Sequence, residues 1–138
     1  MITVGRAQFE EMLAHASETR PEECCGLLGG RGGSALSVYR LRNVASERRT
    51  SYEAAPEELF AAQREMRARG ETLLAIYHSH PESDEPAPSE RDVRLAFYPS
   101  AVYFIVGFTP EGEPVARAFR VSEAERRFER AEFRVAGG

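Results

Sequence analysis

Two histidines, His78 and His80, stand one residue apart directly after the apolar run Leu73-Leu74-Ala75-Ile76-Tyr77, and a carboxylate, Asp92, follows a short way on. Residues two apart on a strand project from the same face, so both imidazoles can aim at one point. Two neutral nitrogen donors and one carboxylate fill three corners of a Zn²⁺ tetrahedron and leave the fourth for water, as a hydrolytic site requires. The plainer reading of a buried histidine is a hydrogen-bonded core residue, which explains one such residue more readily than two on one strand face. The third histidine, His15, lies on the polar side of a helical pattern and is expected to be solvated.

Ser89 and Asp92 carry two readings. Ser-x-x-Asp before an apolar segment is close to a capping box, with Ser89 as N-cap and Asp92 three residues into the helix. A cap would also hold both side chains on rigid backbone, so Asp92 can serve the helix and still face a metal. A metal hydrolase further needs a group that moves a proton from water to the leaving amine. Glu82, Asp84 and Glu85 fall in a proline-rich loop that reads as solvated. Glu23 stands at the mouth of the apolar stretch Cys24 to Gly29, where a carboxylate is costly unless paired or functional. The alternative is an exposed loop acid like Glu22.

These residues need a scaffold, and the pattern supplies one. Ile2-Thr3-Val4 reads as a short strand, and Phe9, Met12, Leu13 and Ala16 mark an amphipathic helix over Arg6 to Glu18. Cys24 to Gly29 reads as a buried strand, turned by the glycines around Arg31 into a hairpin with the strand of Leu36, Val38 and Leu41. Pro56 to Arg69 has proline in its first turn, two acids beside it and Gly70 as its stop, all helix signals. Thr72 to Ser79 is a strand, Ser89 to Phe97 a short helix, and Ala101 to Gly107 a central strand with Val115 to Val121 as its hairpin partner. Ser122 to Val135 mixes helix-forming residues with the strand-like alternation of Phe133 and Val135, and both readings stay open. The expected fold is α/β, a mixed and largely antiparallel sheet sandwiched by helices.

The 138 residues suit a single domain spanning 1–138, and 42% apolar content is enough for one core. A net charge of -4 argues against a nucleic-acid surface. No apolar stretch reaches the roughly 20 residues of a membrane span, and the N-terminus lacks a signal-peptide core, so a cytoplasmic protein is expected. Cys24 and Cys25 are adjacent and read as reduced thiols, with a place in a metal site as the alternative. All 18 basic residues are arginine. That fits either a GC-rich coding bias or an enzyme of lysine conjugates that avoids offering its own lysines.

The set Pro21-Glu22-Glu23-Cys24-Cys25-Gly26-Leu27-Leu28-Gly29, then His78-Ser79-His80-Pro81, then Ser89 and Asp92, resembles the JAMM motif of zinc-dependent MPN-domain (MPN+) metallopeptidases, in their compact prokaryotic form. The resemblance implies a fold similar to that of cytidine deaminases, with His78, His80 and Asp92 as ligands of one zinc ion. It implies Glu23 as the acid/base and Ser89 as a donor to the oxyanion. The interval from His80 to Ser89 holds one residue more than the common pattern, which is expected to bulge around Asp84 to Ala87. The implied reaction is cleavage after the C-terminal Gly-Gly of a ubiquitin-like or sulfur-carrier β-grasp protein. Small-amide hydrolysis and a catalytically silent MPN scaffold are the alternatives. A homodimer is a further expectation, with Phe97 and Tyr98 either at its interface or in the core. Gly137-Gly138 reads as a plain flexible tail, with entry into a neighbour's groove as a product mimic the alternative.

Overall fold

Strand β1 (Ile2–Gly5) leads into helix α1 (Arg6–Thr19), and the hairpin of β2 (Cys25–Arg31) and β3 (Ser34–Leu41) follows. Helix α2 (Pro56–Arg69), β4 (Thr72–Ser79) and the short α3 (Glu90–Arg94) come next, then β5 (Val102–Phe108), β6 (Pro114–Ser122), β7 (Arg127–Ala131) and β8 (Phe133–Ala136). The computed structural model describes residues 1–137; Gly138, and with it part of the expectation for the terminal glycine pair, lies outside the described residues. No described helix is long and apolar enough to cross a membrane.

The eight strands of the described residues form one sheet in the order β7-β6-β5-β4-β2-β3-β1-β8. The ladders β1–β3, β1–β8 and β4–β5 are parallel and the other four antiparallel, the mixed architecture expected. β7 and β8 occupy opposite edges, yet only Glu132 separates them in the chain. The sheet must therefore curl until its edges nearly meet.

That curl decides the packing. Helix α1 lies in the concavity, where Phe9, Met12, Leu13 and Ala16 meet Val4, Leu28, Tyr77, Phe104, Val106 and Phe133. The convex face carries α2 through Ala62 and Met66, and α3 with the turn after it through Val93 and Ala96, against Leu27, Ile76, Tyr103 and Ile105. Each large side chain buried this way contributes roughly 1.5–3 kcal/mol. Pro56 in the first turn of α2 and Gly70 beyond its end, in the left-handed conformation at φ 71°, set that helix's bounds as the sequence predicts.

Three readings are corrected. The hairpin turn sits at Gly32-Gly33, both with positive φ, so β2 runs on through Arg31. α3 stops at Arg94 and leaves Phe97 and Tyr98 exposed. His15 is half-buried rather than solvated: its Nδ1 lies 2.7 Å from the Tyr77 hydroxyl, and burial pushes its pKa down to about 4.

Candidate active site

The β2–β4 ladder sets the site's frame. Cys25 pairs with His78 across it, and the Ser79 N–H donates to the Cys24 carbonyl at 3.2 Å, so Glu23 comes opposite His80 at the sheet's end. The β4 strand is apolar and fully buried from Ala75 to Ser79, which seats His78 in the interior at 1% exposure. His80, just past the strand, is tied to β5 by its N–H, which donates to the Val106 carbonyl at 2.8 Å.

Asp92 arrives from the other side on α3. Ser89 is its N-cap: the Asp92 N–H donates to Ser89 Oγ at 3.0 Å, and the Ser89 N–H donates to Asp92 Oδ2 at 2.9 Å. The capping reading of the Ser-x-x-Asp pattern is met without turning Asp92 away from the histidines. The capping box is formed, and the same Oδ2 lies 3.1 Å from His78 Nε2 and 3.1 Å from His80 Nε2.

The two Nε2 atoms are also 3.1 Å apart, which closes a triangle of three donors. Protons alone satisfy this poorly, because each Nε2 carries at most one. Two protons serve at most two edges, and the remaining pair is left donor-to-donor or acceptor-to-acceptor. A cation accepts all three lone pairs together. Three donors about 2.0–2.1 Å from a tetrahedral ion are separated by about 3.3 Å, close to the observed edge. The donor set therefore fits a metal.

Glu23 supplies a second carboxylate: oxygen and the two imidazole nitrogens lie within 4.8 Å of one another, so Glu23, His78 and His80 form a looser alternative ligand set. The tighter spacing favours Asp92 as the ligand, with Glu23 beside it. Glu23 is 5% exposed, and burial pushes its pKa up to about 7. Such a group exchanges protons near neutrality. Burial also presses upward on Asp92, but the hydrogen bonds from both histidines outweigh it and hold the carboxyl well below its usual range. Burial lowers the pKa of His78 and opposes protonation of His80, where Asp92 prevails and raises it.

Backbone contacts hold Glu23 on both sides. Its N–H donates to the Arg48 carbonyl at 2.7 Å, its carbonyl accepts from Asn43 Nδ2 at 3.0 Å, and the next N–H, of Cys24, donates to Ser79 Oγ at 2.8 Å. Neither Ser79 nor Asn43 is singled out as a site residue by spacing alone. A hydroxyl residue within a buried apolar strand was the available signal for Ser79; Asn43 gave none, because its partners come from distant loops. Cys24 and Cys25 are both buried and free, with thiols pushed up to about 12 by burial, and neither joins the triangle.

A groove of about 330 Å³ lined by Glu23, Arg49, Thr50, His80, Ser83 and Ser89 opens over these groups. Glu82, Asp84 and Glu85 are exposed, while Pro86 and Pro88 turn back inward and Pro86 packs on Gly107. Larger hollows of about 510 and 650 Å³ flank the groove on the Glu23 and Ser89 sides, but neither is lined by His78 or His80.

The chain belongs to the family of prokaryotic homologs of the JAB domain, which it matches over residues 5–122. It is 35% identical over 120 residues to the desampylase of Haloferax volcanii, covering 83% of this chain and 84% of that one. A probable TtuB-protein conjugate cleaving protease of Thermus thermophilus is 38% identical over 124 residues, covering 84% of this chain and 81% of its own. The solution structure of a protein from Desulfitobacterium hafniense superposes with a TM-score of 0.85 at 36% identity, covering all of this chain and 94% of that one.

Proposed function

We propose that this chain is a single-domain zinc peptidase that cleaves the bond after the C-terminal Gly-Gly of a ubiquitin-like or sulfur-carrier β-grasp protein. The observation that carries the reading is the triangle of His78, His80 and Asp92 donors with the protonatable Glu23 in the same groove. The relatives' action on protein conjugates, stated in their names, supports the substrate class.

His78, His80 and Asp92 would hold the ion. Bound zinc would supply a Lewis acid that polarises a water and the scissile carbonyl. Glu23 takes the proton from the attacking water and delivers it to the departing amine, a role suited to a carboxyl that titrates near neutrality. Ser89 Oγ accepts from the Asp92 backbone, which leaves its own O–H free to donate to the carbonyl oxygen as negative charge builds there. A groove that runs directly over His80 and Glu23 suits glycines, whose backbone can approach without side chains.

The test pairs metal analysis with turnover. Purified protein should carry about one zinc per chain and should release the partner from a β-grasp protein fused through Gly-Gly, scored by intact mass. Zinc with cleavage of small amides alone would replace the protein substrate; a folded protein that takes up no zinc would leave only a binding scaffold.

A further inference from the structure

His78 lacks the contact that usually fixes a metal-binding histidine. Such rings generally donate their second N–H to a carboxylate or carbonyl, which sets the ring's orientation. His78 Nδ1 is buried and has no hydrogen-bond partner among the described residues. What touches the ring instead is Tyr52, stacked on it with centroids 4.5 Å apart and planes 25° from parallel. Tyr52 comes from the loop between β3 and α2, and both of its neighbours are held by one side chain: Asn43 Nδ2 donates to the Ser51 carbonyl at 3.0 Å, and the Glu53 N–H donates to Asn43 Oδ1 at 3.0 Å. The same Asn43 amide donates to the Glu23 carbonyl.

We infer that Tyr52 is a positioning residue for the metal centre, its ring face fixing the plane of the His78 imidazole in place of the missing hydrogen bond. The torsion about a histidine's second side-chain bond is broad, so a ring without a partner swings over a wide arc. The stack confines it to one plane, and within that plane the Asp92 carboxylate selects the orientation that points Nε2 inward. The contact is through the ring face, so the phenol oxygen is dispensable. Because Asn43 holds Tyr52 and Glu23 together, the ligand plane and the proton carrier share one brace.

The inference rests on the zinc reading above, and its test separates the two. Zinc affinity is measured by competition with a chromogenic chelator for the wild type, Tyr52→Leu and Tyr52→Phe. In parallel, the His78 ring protons of the zinc-free proteins are followed by NMR. Tyr52→Leu should weaken zinc binding about 10–100-fold and abolish the ring-current shift of His78, whereas Tyr52→Phe should restore both. If Tyr52→Leu does not fold, Tyr52→Met takes its place, with the same losses expected and the same outcomes deciding against the role. Unchanged affinity in Tyr52→Leu, or a loss in Tyr52→Phe as large as in Tyr52→Leu, overturns the positioning role alone. A wild type that binds no zinc overturns the functional reading and this inference with it.

Discussion

Glu23 is the residue on which the proposed chemistry turns. Replacing it by glutamine keeps size and hydrogen bonding but removes the proton carrier, so turnover should fall by about 10²–10⁴ while zinc content stays near one per chain. Metal analysis and single-turnover assays on the same preparation check this. Ser89→Ala should show two separable effects: loss of the helix cap costs about 1 kcal/mol in denaturant unfolding, and loss of the donor lowers kcat by about 10²–10³. An equal loss in a variant that keeps the hydroxyl but disrupts the cap would place the whole effect on α3. At this scale the sequence was readable where one spacing rule sufficed: His78 and His80 share a strand face, and Ser89 and Asp92 obey a capping pattern. Tyr52, Asn43 and Ser79 escaped notice because their roles exist only across contacts between distant segments.

Among the elements, α1 shows how a correct helix can be given a wrong face. Its apolar stripe is read properly from Phe9, Met12, Leu13 and Ala16, but the curled sheet covers a wider arc than a flat one and takes His15 in as well. This has a pH consequence. The folded chain holds His15 at a pKa of about 4, below the ordinary 6.5. Between those values the unfolded chain binds a proton that the folded chain refuses, so acid favours unfolding. The stability contributed by neutral His15 is complete above pH 6.5 and is lost as pH falls toward 4. His15→Gln should lessen the fall of Tm between pH 6.5 and 4 relative to wild type; parallel Tm curves would refute it. The segment from Ser122 to Val135 was ambiguous for a related reason. The Arg and Glu of β7 are exposed and favour helix locally, and only pairing with β6 makes them a strand.

For the molecule as a whole, the centre joins stretches far apart in sequence, with Glu23 before β2, the histidines at the end of β4 and Asp92 on α3. Metal that binds only the assembled site stabilises the whole fold. Zinc at 100 times its Kd should add about 2.7 kcal/mol, so chelator should lower Tm in the wild type and in Glu23→Gln, and have little effect in a variant lacking both histidines. Differential scanning calorimetry with and without chelator decides this. The order of the elements was legible in the sequence. The closure of the sheet was not, because it depends on β8 pairing with β1 from the opposite end of the chain.

The irregularities of β2 all fall at its far end, between Leu28 and Gly29 toward β4 and between Gly29 and Gly30 toward β3. From Cys25 to Leu28 both ladders are regular, and a one-residue slip there would turn every side chain to the other face. Mis-registration is thus absorbed beside the Gly32-Gly33 tip, remote from the histidines. That tip is the natural place to graft a label, an affinity handle or an immobilising tether, because length added there has room to dissipate before it reaches the working end.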